Sequence, residues 1–399
     1  MQKKLIALAV AGLASTAAFA QSNVTIYGVA DATFDVVRAS SSFTSGDDLG
    51  SMTRVSTNSS LIGFKGAEDL GNGLKAVFQF ESGVSFDAGS NLATNRDSYV
   101  GLTGGFGSVL AGRLTGPTRA LGASMDVFAG ATGIGANNGL LGKMGNDLTR
   151  SVDGNTALSG STTCGRSTTC NGLFDTRFNN SIAYVSPNLS GLTLTAVYVA
   201  NENKTQDKNN GVTSVLAVQP TAGNAGTAAA GEFNSKGYDL GAKYQNGPIL
   251  AGLTYSKVKL GDTADQQASD LRLAGAYDFG VASVRVIYDR TKMEGSGFDN
   301  KQNVWGIGGT YNVTANGKVV GQFYKASDVK GTDAEGNTGA KLFALGYEHS
   351  LSKRTLLKAT YSRLKNEDNA RYDYGVNAVG LNADGATLSG VQVGLRHSF

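Results

Sequence analysis

DLRLAGAYDFGVASVRVIYDRT, residues Asp270–Thr291, is the stretch on which the fold turns. In its first half Leu271, Leu273, Tyr277 and Phe279 fall on one parity, and Arg272, Ala274, Ala276 and Asp278 on the other. After Gly280 the second half repeats the pattern: Val284, Val286 and Tyr288 oppose Ser283, Arg285 and Asp289. Successive side chains of an extended strand point to opposite faces, so period-two alternation of this kind marks a strand with one apolar and one polar face. Two such runs around a glycine make an antiparallel hairpin.

The same texture extends in both directions. In Gly237–Gln245, Tyr238, Leu240, Ala242 and Tyr244 oppose Asp239, Lys243 and Gln245; in the last strand Val391, Val393, Leu395 and Phe399 oppose Gln392, Gly394, Arg396 and Ser398. No 3.6-residue stripe of helical length intervenes. Sixteen such strands fit between residues 22 and 399. Their connections alternate between short turns, such as Gly71-Asn72-Gly73 and Asn246-Gly247, and long polar segments, among them 115–175, 202–233 and 367–386. This layout predicts an all-β, 16-stranded antiparallel transmembrane β-barrel with short turns at one end and long loops at the other. Lipid offers no hydrogen bonds, so every backbone group must pair within a closed sheet. A soluble sandwich is the competing reading, but it rarely holds sixteen strands of this length in one sheet.

Composition agrees with an exported barrel. The chain has 399 residues, 41% hydrophobic and 17% charged, with a formal net charge of +3. That balance excludes disorder and a strongly basic nucleic-acid binder. No run beyond the N-terminus approaches the roughly 18 apolar residues of a membrane helix. Residues 1–20 read as a signal peptide: Lys3 and Lys4, an apolar run Leu5–Leu13, and Ala18-Phe19-Ala20 as the cleavage site, leaving 21–399 as the barrel domain. Cys164 and Cys170 are expected to form a disulfide that staples one long loop; a metal site has no second pair and no nearby histidine to support it.

Particular motifs carry a family likeness: Val24-Thr25-Ile26-Tyr27-Gly28, the block Gly63-Phe64-Lys65-Gly66-Ala67-Glu68-Asp69-Leu70-Gly71 with Leu74-Lys75-Ala76-Val77-Phe78-Gln79-Phe80-Glu81, Ser98-Tyr99-Val100-Gly101-Leu102, Asn180-Ser181-Ile182, and the closing Val393-Gly394-Leu395-Arg396-His397-Ser398-Phe399. With these the chain resembles the trimeric general porins of Gram-negative bacteria, in particular the beta-proteobacterial and neisserial branch. The resemblance implies an outer-membrane homotrimer among lipid and lipopolysaccharide, with Phe399 as the mark read by the barrel assembly machinery. It also implies a third long loop folded into the lumen, here from about Thr115 to Leu141, with Leu121, Met125, Val127 and Phe128 packing it to the wall. Asp126 is the single carboxylate of that stretch, so its negative field should be weak. Opposite the loop the family places a ladder of cations. Arg96 and Arg177 match it, Lys65 and Arg113 are further candidates, and Leu61 stands where one arginine is expected. Arg272, Arg285, Lys243 and Lys358 share lumen parity and would extend the positive lining.

The implied function is a water-filled channel for passive diffusion of ions and small hydrophilic solutes, with a modest anion preference set by the charged constriction. A substrate-specific channel for an anionic solute is the second reading. Catalysis finds no support: the chain contains no Gly-x-Ser-x-Gly elbow, and neither a phosphate loop nor a dinucleotide fingerprint occurs in a strand–helix context. His349 and His397 share the outward parity, and no cofactor, metal or nucleic acid is called for. Tyr244, Phe279, Tyr311, Tyr347 and Phe399, near strand ends, suit an aromatic girdle better than a sugar-stacking track.

Overall fold

The structure, a computed structural model, describes residues 23–40, 48–89, 92–144, 174–200, 236–259, 267–295, 298–331, 336–380 and 383–399. The expected signal peptide at 1–20 and the expected Cys164–Cys170 disulfide lie outside these residues.

The strands in chain order are β1 (Asn23–Ala39), β2 (Leu49–Thr57), β3 (Leu61–Gly71), β4 (Leu74–Gly83), β5 (Ser98–Gly104), β6 (Gly107–Thr115), β7 (Arg177–Val185), β8 (Leu192–Val199), β9 (Lys236–Asn246), β10 (Ile249–Lys259), β11 (Gln267–Asp278), β12 (Ala282–Gly295), β13 (Phe298–Asn312), β14 (Gly317–Ala326), β15 (Lys330–Gly331), β16 (Ala340–Ser350), β17 (Thr355–Asn366) and β18 (Thr387–Ser398). They form one sheet in which β1 pairs antiparallel with β18 on one side and with β2 and β3 on the other, closing a barrel. Two of these strands add no stave. β2 and β3 are halves of one strand interrupted at Asn58–Ser60, where Ser59 has φ 55°, and the two-residue β15 only extends a loop. The wall therefore has sixteen staves, as the alternation predicts.

Closure is completed by the chain termini. The Gly28 amide donates to the Phe399 carbonyl at 3.1 Å, and the Phe399 amide to the Gly28 carbonyl at 3.0 Å. At the opposite extreme of scale, the β3–β4 turn has positive φ at three successive residues, Gly71, Asn72 and Gly73, which is why glycines flank an asparagine there.

Exposure runs inside out. On β12, Val284, Val286 and Tyr288 are exposed while Asp289 is fully buried; on β16, Phe343, Leu345 and Tyr347 are exposed while Glu348 is buried. Apolar surface that would be costly in water is what a lipid-facing wall requires. Tyr244, Phe279, Tyr311, Tyr347 and Phe399 are all exposed and lie at the short-turn end, the arrangement of an interfacial girdle.

The interior is not uniformly polar. After β6 the chain enters the barrel as helix α1 (Pro117–Met125), which packs against β9, β10, β11 and β12. Proline at the helix start lacks an amide that would be unpaired there in any case. The loop continues through Ile134, Leu140 and Leu141, which join Val37, Leu342, Leu364 and Leu388 of the inner wall in one apolar cluster. Tyr372, Tyr374 and Val379 of the β17–β18 loop complete it. Segment 367–386, expected to be one of the long polar loops, thus packs inward as well through Ala370, Tyr372, Tyr374, Val379 and Ala386. Its tyrosines are buried because the inner faces of β14, β16, β17 and β18 are apolar near the long-loop end.

Candidate functional site

One group of charges lines the inner wall from β3 to β7. Lys65 projects inward from β3 with its Nζ 4.8 Å from the centre of the Tyr27 ring. Tyr27 in turn donates to Glu81 of β4 at 2.8 Å, and Gln79 adds a second bond to the same oxygen at 3.2 Å. Arg96 reaches the other Glu81 oxygen at 3.4 Å.

Next to Arg96, Asp97 organises a second group. It accepts from Arg177 Nε at 2.7 Å, from the Thr115 amide at 2.6 Å and from the Thr115 hydroxyl at 3.0 Å. Burial acts to raise the Asp97 pKa, but the Arg177 charge and the Thr115 bonds outweigh it, and the carboxyl sits below its ordinary value. The β6–β7 register shifts between Gly112 and Leu114, opposite Asn180 with φ 51°. One β6 residue, Arg113, here faces two of β7, so the extra residue lies in β7; Arg113 keeps its register with Ser98 of β5 and bonds Asn179 and the Asn95 carbonyl.

The loop supplies one more cation. Arg119, on α1, donates to the Asp175 carbonyl at 2.7 Å. Burial lowers the pKa of both Arg96 and Arg119, and repulsion from Arg177 lowers it further in each, so these guanidiniums share one electrostatic neighbourhood. Lys65, Arg96, Arg113, Arg119 and Arg177 thus lie near three carboxylates: Glu81 and Asp97, each bonded by several donors, and Asp175 beside Arg119. Such a site can attract and pass anions; among the described residues there is no group of three potential metal ligands.

Residues 7–369 match the sequence model of a family described as Gram-negative porin. The chain belongs to the Gram-negative porin family. Along its whole length this porin is 34% identical over 411 residues to all of outer membrane porin protein 32 of Delftia acidovorans. It is 27% identical over 414 residues to major outer membrane protein P.IB of Neisseria meningitidis serogroup B, again end to end. An anion-selective porin from Comamonas acidovorans superposes with a TM-score of 0.71 at 30% identity, covering 95% of this chain and 100% of that one. The porin is therefore an outer-membrane channel protein.

Of the residues that sequence places at the porin's constriction, the structure brings together Lys65, Arg96, Arg113 and Arg177. Asp126 is a correction. Its carboxylate is 3% exposed and accepts from the Phe128 amide at 2.9 Å, the Asn137 amide at 2.7 Å and Gln322 at 3.4 Å. It staples the loop to itself instead of facing solute. Three of the four extra lumen cations are likewise used in packing. Arg272 bonds Asp289 and the Thr118 carbonyl, Arg285 bonds the carbonyls of Ser124 and Asp126, and Lys358 pairs with Asp31 at 2.7 Å. Lys243 alone of the four is exposed. Sequence reasoning missed Arg119 by searching the loop for acids; a basic residue two positions after Pro117, in the first turn of a helix, was the available signal.

Proposed function

We propose that this porin is a passive, anion-preferring channel for ions and small hydrophilic solutes. One observation carries the reading: five cations stand among three carboxylates, Glu81, Asp97 and Asp175, and Asp126 of the third loop is buried away from them. In a narrow aqueous gap with low-dielectric walls, such an imbalance raises the local anion concentration and excludes cations. The anion-selective relative supports the same sign. No catalytic chemistry is assigned to the chain. In this reading three copies associate through part of the apolar outer wall within the outer-membrane lipid and lipopolysaccharide. Phe399, 49% exposed at the end of β18, is what the assembly machinery recognises.

The test is the reversal potential of the mature protein in a planar bilayer under a salt gradient. Anion preference is expected. Replacing Arg96→Gln and Arg177→Gln together should move the reversal potential toward zero while large ohmic steps persist. An unchanged potential in the double variant, or cation preference in the wild type, would overturn the assignment.

A further inference from the structure

Between α1 and the inner wall of β8, β9 and β10 lies an alcove of about 240 Å³ that none of the five constriction cations lines. Pro117, Ala120 and Leu121 form one apolar side. The wall side presents the hydroxyls of Thr193 and Thr195, and Lys243 brings the single charge; no carboxylate lines the space. Ala120 and Lys243 are both exposed and mark its mouth. Deeper in, Thr254 is 3% exposed and sets its methyl group toward Gly241, which adds to the apolar floor.

We propose that this alcove is a binding subsite for small aromatic monocarboxylates, resting on the reading of the protein as an anion-passing porin. The carboxylate lies between the Lys243 ammonium and the threonine hydroxyls, and the ring lies against Pro117, Ala120 and Leu121. Each part of the class follows from the lining. A bare inorganic anion leaves the apolar side unused. A second carboxylate would be set against Pro117 and Leu121 with nothing to pair it. The volume falls below the roughly 300–1,000 Å³ of sites for drug-sized ligands, which restricts the occupant to about one ring. The alcove gives the channel a resting place beside the main current, selecting among anions by their apolar part, whereas the arginines select by charge alone.

The experiment measures chloride current through the refolded mature protein in planar bilayers, with benzoate or acetate added at constant ionic strength. Each variant is normalised to its own unblocked current. Benzoate should reduce the current saturably and acetate should not. Lys243→Gln should raise the half-blocking benzoate concentration about tenfold, equivalent to about 1.4 kcal/mol. Thr195→Val, nearly isosteric, should raise it about threefold through loss of one hydroxyl bond. Equal block by acetate, or a half-blocking concentration that neither substitution moves, overturns the subsite and returns the interaction to the arginines. The benzoate-free control separately reports whether the anion-passing reading holds.

Discussion

Asp126 stands where the third loop doubles back, and its environment makes it sensitive to protons. Burial pushes its carboxyl up to about 6, against the opposing pull of the Asn137 and Phe128 amides and Gln322. Arg285 on β12 and Tyr324 on β14 are the other ionisable groups nearby. A solvated aspartate titrates at about 3.9. The docked loop thus binds this proton more tightly than a released one, and linkage makes docking strengthen as pH falls through 6 toward 4, and weaken on return to neutrality. Amide exchange at Phe128 and Asn137, expressed as protection factors, should show more protection at pH 5 than at pH 7. Asp126→Asn should flatten that dependence. The sequence showed a lone acid in an apolar stretch, and the flanking Met125, Val127 and Phe128 hinted at burial. Besides Phe128, its partners lie 11 and 196 residues away, beyond any local pattern.

Helix α1 depends on the wall for both its start and its position. Gly116 provides no side-chain cap; the carboxylate of Asp239 on β9 accepts instead from the Thr118 amide at 3.2 Å and its hydroxyl at 2.5 Å. An anion at a helix N-terminus is favourable by virtue of the unpaired amides there. Arg272, fully buried between Asp289 and the Thr118 carbonyl, ties the same turn to β11 and β12. Arg272→Leu leaves Asp270 and Asp289 buried and uncompensated, which should cost about 3–5 kcal/mol. The expected readouts are a lower unfolding temperature and a noisier open-channel current. Parity in the sequence correctly pointed Arg272 and Asp239 inward. It did not distinguish a charge facing solute from one clamping a helix, because that depends on where a loop from another part of the chain comes to rest.

For the whole molecule, period-two alternation was legible because lipid outside and water inside impose opposite demands on successive residues. Chain-wide repetition then settled the number of staves. The second in-folded loop was not legible. Segment 367–386 carries Asp368, Arg371, Asp373 and Asp384, and reads as polar, yet Tyr372 and Tyr374 are buried against the third loop and inner wall. The apolar inner faces that receive them, such as Leu342 and Leu364, look from sequence like ordinary strand residues. Replacing a buried aromatic with alanine typically costs about 3–5 kcal/mol. Tyr372→Ala with Tyr374→Ala should loosen the packed half of the lumen. Single-channel conductance should then rise above that of the wild type, and neutral sugars too large for the parent should enter in liposome swelling.

The clasp between Gly28 and Phe399 also sets a timetable for biosynthesis. The first stave waits for the last stave, β18, to be made before its outer flank is satisfied. Until then each nascent or truncated chain is a ribbon with two bare edges, open to pairing with a neighbour. Joining the ends of so long a chain is entropically uphill and slow. Since β1 and β18 pair over eleven residues, a chain cut before β18 has no partner for its first stave and cannot close.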